Sequence, residues 1–275
     1  MNPIFVRESF KSYLLEDAYY SDITTDAISS GRIAVSKIKA KEDLILAGSI
    51  FIEPLFNAMD EKCDVEYLKK DGDKVKKGEY IANVRAKDYA LLYIERVCLN
   101  MLQRMSGIAT RTKRFANLIK GYKAKIVDTR KTTPGFRFFE KYAVKIGGGT
   151  NHRMGLFDAV LIKDNHIKDA GSIKNAVDLV RDSVPFTAKI EVECSNCDMV
   201  KQAIDANVDI VMLDNMKIDD MKSIVDEFRG KVIFEASGNV DEDNIVQIAD
   251  TGVDYISSGS IIHHAVWADI NMKME

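Results

Sequence analysis

Seven places in the chain carry side chains able to handle anions or a metal ion. Asp128-Thr129-Arg130-Lys131 is followed by Asn151-His152-Arg153, by Lys163, by Glu193 and by Asp214; last come the runs Ser237-Gly238-Asn239 and Ser258-Gly259-Ser260. An arginine fork matches a carboxylate or phosphate through two parallel hydrogen bonds, and a lysine adds a mobile point charge. Arg130, Lys131, His152, Arg153 and Lys163 therefore point to a substrate with more than one anionic group. Glu193 and Asp214 are hard oxygen donors, which suit Mg²⁺ completed by waters and substrate phosphates. The two small-residue runs offer backbone N–H groups and hydroxyls ahead of helical stretches, the makings of a phosphate cradle. The sum is an enzyme that joins an organic anion to a phosphorylated, metal-bound partner.

Each member also has a plainer reading. An acid at a strand end can be a helix cap or half of a loop ion pair. Gly238 and Gly259 can be simple turn residues, and His152 a satisfied surface imidazole. Gly147-Gly148-Gly149 reads better as a tight connection that re-aims Asn151-His152-Arg153 than as a phosphate binder.

The elements that must position these groups form a repeating series. KIVD (125–128), AVLIKD (159–164), AKIEVE (188–193), DIVMLD (209–214), KVIFEAS (231–237) and DYISSG (254–259) are short apolar strands separated by helical stretches. The last four begin about 21 to 23 residues apart, the period of βα units closing a parallel barrel. In such a barrel the strand tips form one rim, and the candidate residues fall at those tips.

Ahead of the series, residues 31–86 alternate strand-like runs with turn residues and include a helix at 49–59, with another helix at 5–16. Residues 87–120 lack proline and place Cys98, Leu102, Met105 and Ala109 on one helical face, which gives one long helix or two joined near Gly107. The opposite stripe is Arg96, Asn100, Gln103 and Gly107. The chain divides into an α/β module, 1–106, and a barrel region, 107–275, whose tail is free to pack back on the first module.

With 46% hydrophobic residues in 275, the chain can bury a large core. The net charge of −3 provides no field for nucleic acid or an anionic membrane, so anions must be met by local clusters. No apolar run approaches the ~20 residues of a membrane span and no signal-peptide core is present, which makes the cytoplasm the expected location. Cys63, Cys98, Cys194 and Cys197 are scattered as reduced thiols would be.

DTRKTTPG, EKYAVKIGGGTNHR and LFDAVLIKDNHI, with ERVCLNMLQRMSGIATRT upstream and EVEC, VMLDN, EASGN and GVDYISSGS downstream, resemble the quinolinate phosphoribosyltransferase family. The resemblance spans nearly the whole chain. It implies an N-terminal α/β sandwich joined to an incomplete α/β barrel of the type II phosphoribosyltransferase kind. It also implies a homodimer sharing its active site between subunits, with a hexamer left open. The reaction implied converts quinolinate and phosphoribosyl pyrophosphate to nicotinate mononucleotide, pyrophosphate and carbon dioxide with Mg²⁺, in NAD biosynthesis. Carried over, Arg130, His152, Arg153 and Lys163 grip the quinolinate carboxylates, Thr129 assists, and Arg96 reaches in from the other subunit. Lys131 meets the phosphoribosyl donor, Glu193 and Asp214 its ribose and metal, and Ser237, Gly238, Asn239, Ser258, Gly259 and Ser260 its 5′-phosphate. Tyr19-Tyr20 and Ala236 depart from the family pattern without removing a functional group.

Three other readings compete. A related phosphoribosyltransferase of molybdenum-linked operons would act on another anion, against which the intact RKTTPG and NHR runs count. DGDKVKKGEYIANV with Met272-Lys273-Met274 is similar to parts of a biotinyl or lipoyl carrier, but the lysine lies far from the turn. Cys194-Ser195-Asn196-Cys197 is a single CxxC without a second ligand pair, a weak zinc or redox signal.

Overall fold

The computed structural model describes residues 1–59 and 61–275, which fall into two compact units that alternate along the chain. Unit one comprises Met1–Arg111, Pro134–Gly147 and Ala265–Glu275; unit two comprises Thr112–Thr133 and Gly148–His264.

Unit one opens with α1 (Pro3–Asp17), whose first turn is capped by the Asn2 side chain accepting from the N–H groups of Ile4 and Phe5. There follow α2 (Ile23–Ile28), β1 (Ile33–Ala40), β2 (Leu44–Ile45), α3 (Ile52–Asn57), β3 (Asp64–Tyr67), β4 (Lys74–Val75), β5 (Tyr80–Lys87), α4 (Asp88–Leu118), which belongs to unit one as far as Arg111, and α5 (Arg137–Ile146). β1 alternates strictly: Ala34, Ser36, Ile38 and Ala40 face inward, and the intervening residues do not. It is the second strand of a four-stranded sheet, antiparallel to β5 on one side and to the C-terminal strand Ile270–Met274 on the other.

α5 belongs to this unit, although it lies within the 107–275 stretch assigned to the barrel from sequence. The reason is its aromatic face. Phe139 is fully buried, stacks on Phe10 with centroids 5.5 Å apart, and meets Phe51 edge-on at 5.1 Å. The Glu140 carboxylate is likewise buried and paired with Arg104 of α4 at 2.7 Å.

α4 is one helix, not two joined at Gly107. Its apolar stripe Cys98, Leu102, Met105 and Ala109 is buried as expected. The opposite stripe is divided between contact and exposure. Gln103 donates to the Ile270 carbonyl and accepts from the Ala268 N–H, and a Cβ on Gly107 would stand 2.0 Å from the Val266 carbonyl oxygen. Half of that face is covered by the chain's own C-terminal segment, while Arg96 and Asn100 stay exposed.

Unit two holds β6 (Lys125–Val127), β7 (Val160–Ile162), α6 (Asp164–Ala170), α7 (Ile173–Ser183), β8 (Ile190–Cys194), α8 (Cys197–Asp205), β9 (Ile210–Asp214), α9 (Ile218–Glu227), β10 (Ile233–Ser237), α10 (Ile245–Asp250), β11 (Tyr255–Ser257) and α11 (Ser260–His263); the C-terminal strand is β12. The six strands β6 to β11 make one parallel sheet in the order β6-β11-β10-β9-β8-β7, an incomplete α/β barrel as the sequence series implied. β8 is buried along almost its whole length, as a strand covered on both faces must be. Thr150 bridges to Val127 beside β6. The register puts Glu193, Met212, Glu235 and Tyr255 in one row across four strands, so these side chains share a face.

The fold also decides two competing readings. Lys273 lies within β12, paired with Lys37 of β1, and not on a hairpin turn as a carrier lysine does. Cys194 is buried and its thiol is pushed up to about 12 by that burial, the reverse of a reactive or metal-binding cysteine.

Candidate active site

At the strand tips of unit two, Lys163 lies between β7 and α6 as the helix N-cap, and its ammonium pairs with the Glu193 carboxylate on the neighbouring strand. One candidate cation and one candidate acid of the rim thus neutralise each other. Asp214 closes β9, and its Oδ2 accepts from Asn215 Nδ2 at 2.8 Å. Asn215 adopts a left-handed conformation, φ 52°, and donates its N–H to the Ser237 carbonyl. Gly238 has φ +103°, and a Cβ there would stand 2.2 Å from Asn215 Oδ1, the same oxygen that accepts from Asn239 Nδ2 at 3.2 Å. Asn215 therefore ties the β9 and β10 tips together. Sequence reasoning omitted it, although an asparagine directly after a strand tip tolerates the left-handed region better than most residues.

The second small-residue loop departs from expectation. Ser258 is buried, its hydroxyl donates to the Val240 carbonyl at 3.1 Å, and it shares a hydrogen bond of 2.8 Å with Ser260 Oγ. Both hydroxyls are tied to the Val240 carbonyl of the neighbouring loop after β10, and α11 behind them is a single turn. At Gly259 a Cβ would lie 3.0 Å from Lys131 Cδ and 2.9 Å from His263 Nε2, so Lys131 crosses the loop directly over this glycine. Thr129 Oγ1 accepts from the Lys131 N–H at 3.1 Å and Arg130 is exposed.

Further inside, Asp128 is fully buried and holds the following turn by two bonds, from Asn151 Nδ2 at 2.5 Å and from the His152 N–H at 2.9 Å. Of the three adjacent glycines only Gly148 has positive φ, 91°, where the chain re-enters the unit. His152 is not a surface imidazole: its side chain is 14% exposed, and Nε2 lies 3.2 Å from Glu191 Oε2 and 3.6 Å from Glu235 Oε2. Nδ1 accepts from the Arg153 N–H at 2.7 Å. Arg153 itself donates Nη1 to the Ala159 carbonyl at 3.0 Å. These residues line a cavity of about 390 Å³ that also touches Lys189, Tyr255 and the first residues of β7, β9 and β10. It reaches toward the strands' N-terminal ends, away from the rim that the sequence singled out.

Two electrostatic features mark the cluster. Burial pushes the Glu235 carboxyl up to about 7, the nearby Glu191 charge adds to that rise, and His152 opposes it. The Arg153 guanidinium is held below its ordinary value, first by burial and then by repulsion from Arg130. Two guanidinium groups close enough to repel in a partly buried site are positioned for an anion.

Two groups of residues could hold a metal ion. Glu193 and Asp214, both half-buried, supply two hard oxygen donors on adjacent strands. Their existing partners Lys163 and Asn215 leave an incomplete shell, which fits a hydrated divalent ion completed by phosphates. His152, Glu191 and Glu235 also bring one ligand atom each to within 4.8 Å of one another. Glu191 and Glu235 were missed from sequence, though each is an acid inside an apolar strand, two residues before a rim residue and so on its face.

Within unit two, therefore, Lys131 meets Gly259, Lys163 meets Glu193, Asp214 meets the Ser237–Asn239 tip through Asn215, and His152 and Arg153 turn toward the interior. Arg96 belongs to unit one and is exposed.

Comparison with known proteins gives this geometry a family. The C-terminal domain model of quinolinate phosphoribosyl transferase matches residues 108–273, and the N-terminal domain model matches residues 22–106. A Synechocystis protein named probable nicotinate-nucleotide pyrophosphorylase (carboxylating) is 40% identical over 274 residues, covering 98% of this chain and 93% of that protein. A Bacillus subtilis protein of the same name is 39% identical, covering 100% of this chain and 95% of its own. The solved structure of nicotinate-nucleotide pyrophosphorylase from Francisella tularensis superposes with a TM-score of 0.92 at 40% identity, covering 100% and 98% of the two chains. Matched across both domains and along its full length, the chain belongs to the quinolinate phosphoribosyltransferase family.

Proposed function

We propose that this chain is a nicotinate-nucleotide pyrophosphorylase, a pentosyltransferase that moves the phosphoribosyl group of phosphoribosyl pyrophosphate to the ring nitrogen of quinolinate with loss of carbon dioxide, in de novo NAD biosynthesis. The relatives that share its whole length carry that name. The observation that carries the reading is the Arg130–Arg153 pair, a repulsion that a dicarboxylate would relieve.

The chemistry asks little of a base, because a pyridine nitrogen has its lone pair free. It attacks the anomeric carbon as pyrophosphate leaves and positive charge develops on the sugar. Arg130, Arg153 and Lys163 orient the ring through its carboxylates, His152 holds the turn that carries Arg153, Thr129 assists, and Lys131 meets the leaving pyrophosphate. When bound, Mg²⁺ neutralises the phosphates of the donor, and Glu193 and Asp214 are the residues that would hold it. The tips Ser237–Asn239 and Gly259–Ser260 take the 5′-phosphate through backbone N–H groups, since the Ser258 N–H is bonded to the Val127 carbonyl and both serine hydroxyls are already engaged. Once quaternised, the positively charged ring nitrogen stabilises the electron pair left on the adjacent carbon as carbon dioxide departs, and that carbon then takes a proton from solvent, so decarboxylation follows substitution.

The working unit is a homodimer to which each subunit lends Arg96, and its compartment is the cytoplasm, in keeping with four free cysteines. No described helix is long and apolar enough to cross a membrane. The deciding assay compares quinolinate with nicotinate as phosphoribosyl acceptor: nicotinate mononucleotide should form from quinolinate alone. Equal turnover of nicotinate would remove the need for so many cations and overturn the reading.

A further inference from the structure

The dicarboxylate grip and the metal pair leave two deeply buried carboxylates without a use. Glu191 and Glu235 have side chains only 4% and 6% exposed, and Oε1 of each lacks a protein hydrogen-bond partner. A buried acid without adequate partners is costly to retain, so a chain that keeps two on one face must gain something from them. What they share is His152. Its Nδ1 accepts the Arg153 N–H, which leaves the ring hydrogen on Nε2, the atom that faces both carboxylates. The backbone of the same residue is held by Asp128. His152 is thereby gripped from two sides, and the peptide it shares with Arg153 is fixed along with it.

We propose that Glu191 and Glu235 are positioning residues for the anion grip: by holding His152 Nε2–H they lock the Asn151–Arg153 turn and so set where the Arg153 guanidinium stands beside Arg130. The kinetic consequence rests on the quinolinate reading above; the locked imidazole does not. A neutral acceptor of the same shape should serve nearly as well as the acid, because the requirement is for an oxygen facing Nε2–H. Removing that oxygen frees the ring and loosens the turn.

The experiment has two arms. In the first, ¹⁵N-histidine-labelled protein without substrate is examined by long-range ¹H–¹⁵N correlation, with His152 assigned among the four histidines by a His152→Gln variant. His152 should give the single Nε2–H tautomer, kept in Glu191→Gln and Glu235→Gln and replaced by averaged tautomers in Glu191→Ala or Glu235→Ala. In the second, steady-state kinetics should show the alanine variants raising the quinolinate KM about 10- to 100-fold, with the phosphoribosyl pyrophosphate KM changed less than about twofold, and glutamine restoring most of the loss. An averaged His152 signal in the unaltered protein, an unchanged quinolinate KM in both alanine variants, or an equal rise for both substrates overturns the proposal. So does a stoichiometric divalent metal that co-purifies with the unaltered protein and is lost from Glu235→Gln, which would make the cluster a metal site. Should the alanine variants not fold, the tautomer of the unaltered protein and the glutamine variants still decide. If the unaltered enzyme ignores quinolinate, the function fails, and the nitrogen signature tests the positioning role by itself.

Discussion

Arg153 shows how much of this site is decided by one side chain's surroundings. It is partly buried, donates to the Ala159 carbonyl and is repelled by Arg130, an effect that Glu191 and Asp158 offset only in part, so an anion that reaches it is held strongly. Arg153→Ala should leave the fold intact and lower kcat/KM for quinolinate by about 2–5 kcal/mol in transition-state stabilisation, read from steady-state kinetics. An unaltered kcat/KM would remove Arg153 from the grip. Glu235 makes a different prediction, about pH. Its carboxyl is raised from 4.5 to about 7 in the folded chain. The folded protein therefore holds a proton that the unfolded chain has already released between these values. This contribution to stability is full below about pH 4.5 and is lost as pH rises through about 7, a swing of the order of 3 kcal/mol. Melting temperature followed across that window should fall with rising pH, and Glu235→Gln should flatten the fall; an identical slope in the variant would show that another group sets it.

At the scale of elements, the decisive contact is between α4 and the chain's own C-terminal segment. Gly107 is needed there not for its freedom of φ but for lack of a Cβ, which would stand 2.0 Å from the Val266 carbonyl oxygen. Gly107→Ala should force the segment off the helix, strain the Gln103 bonds to Ile270 and Ala268, and lower stability by roughly 1–3 kcal/mol in urea unfolding. A variant as stable as the parent would mean that the segment moves freely. The strand tips obey a related rule: the β9 and β10 tips meet through Asn215 because Gly238 has no side chain to push it away. Such tips are built by backbone geometry, and the hydroxyls beside them, as Ser258 shows, can be engaged by a neighbouring loop.

For the whole molecule, the proposed dimer makes the exposed Arg96 part of a site in the other subunit. An Arg96→Ala protein and a Lys131→Ala protein should each be inactive. Mixed and allowed to exchange subunits, they should regain activity, because one hybrid site then carries both intact residues. No recovery under conditions where exchange is shown by mass would place Arg96 outside the shared site. The alternation of units along the chain also has a physical source. α5 leaves the barrel series because Phe139 finds Phe10 and Phe51, and β12 returns to β1 because its Ile270 and Met272 are buried in that sheet.

The sequence by itself determined the barrel series, its strand tips and the family. A period of short apolar strands is a local pattern, and the motifs RKTTPG, NHR and EASGN are read residue by residue. It also carried a signal not taken up, since Glu191 lies two residues before Glu193 and Glu235 two before Ser237, and side chains two apart on a strand share a face. What only the tertiary structure decided is which of these residues meet. Strand pairing joins residues tens of positions apart, and no spacing along the chain reveals that Lys163 reaches Glu193 or that the His152 ring turns inward onto Glu191 and Glu235. The direction of a side chain depends on the space its neighbours leave, and that space exists only once the strands have closed around it.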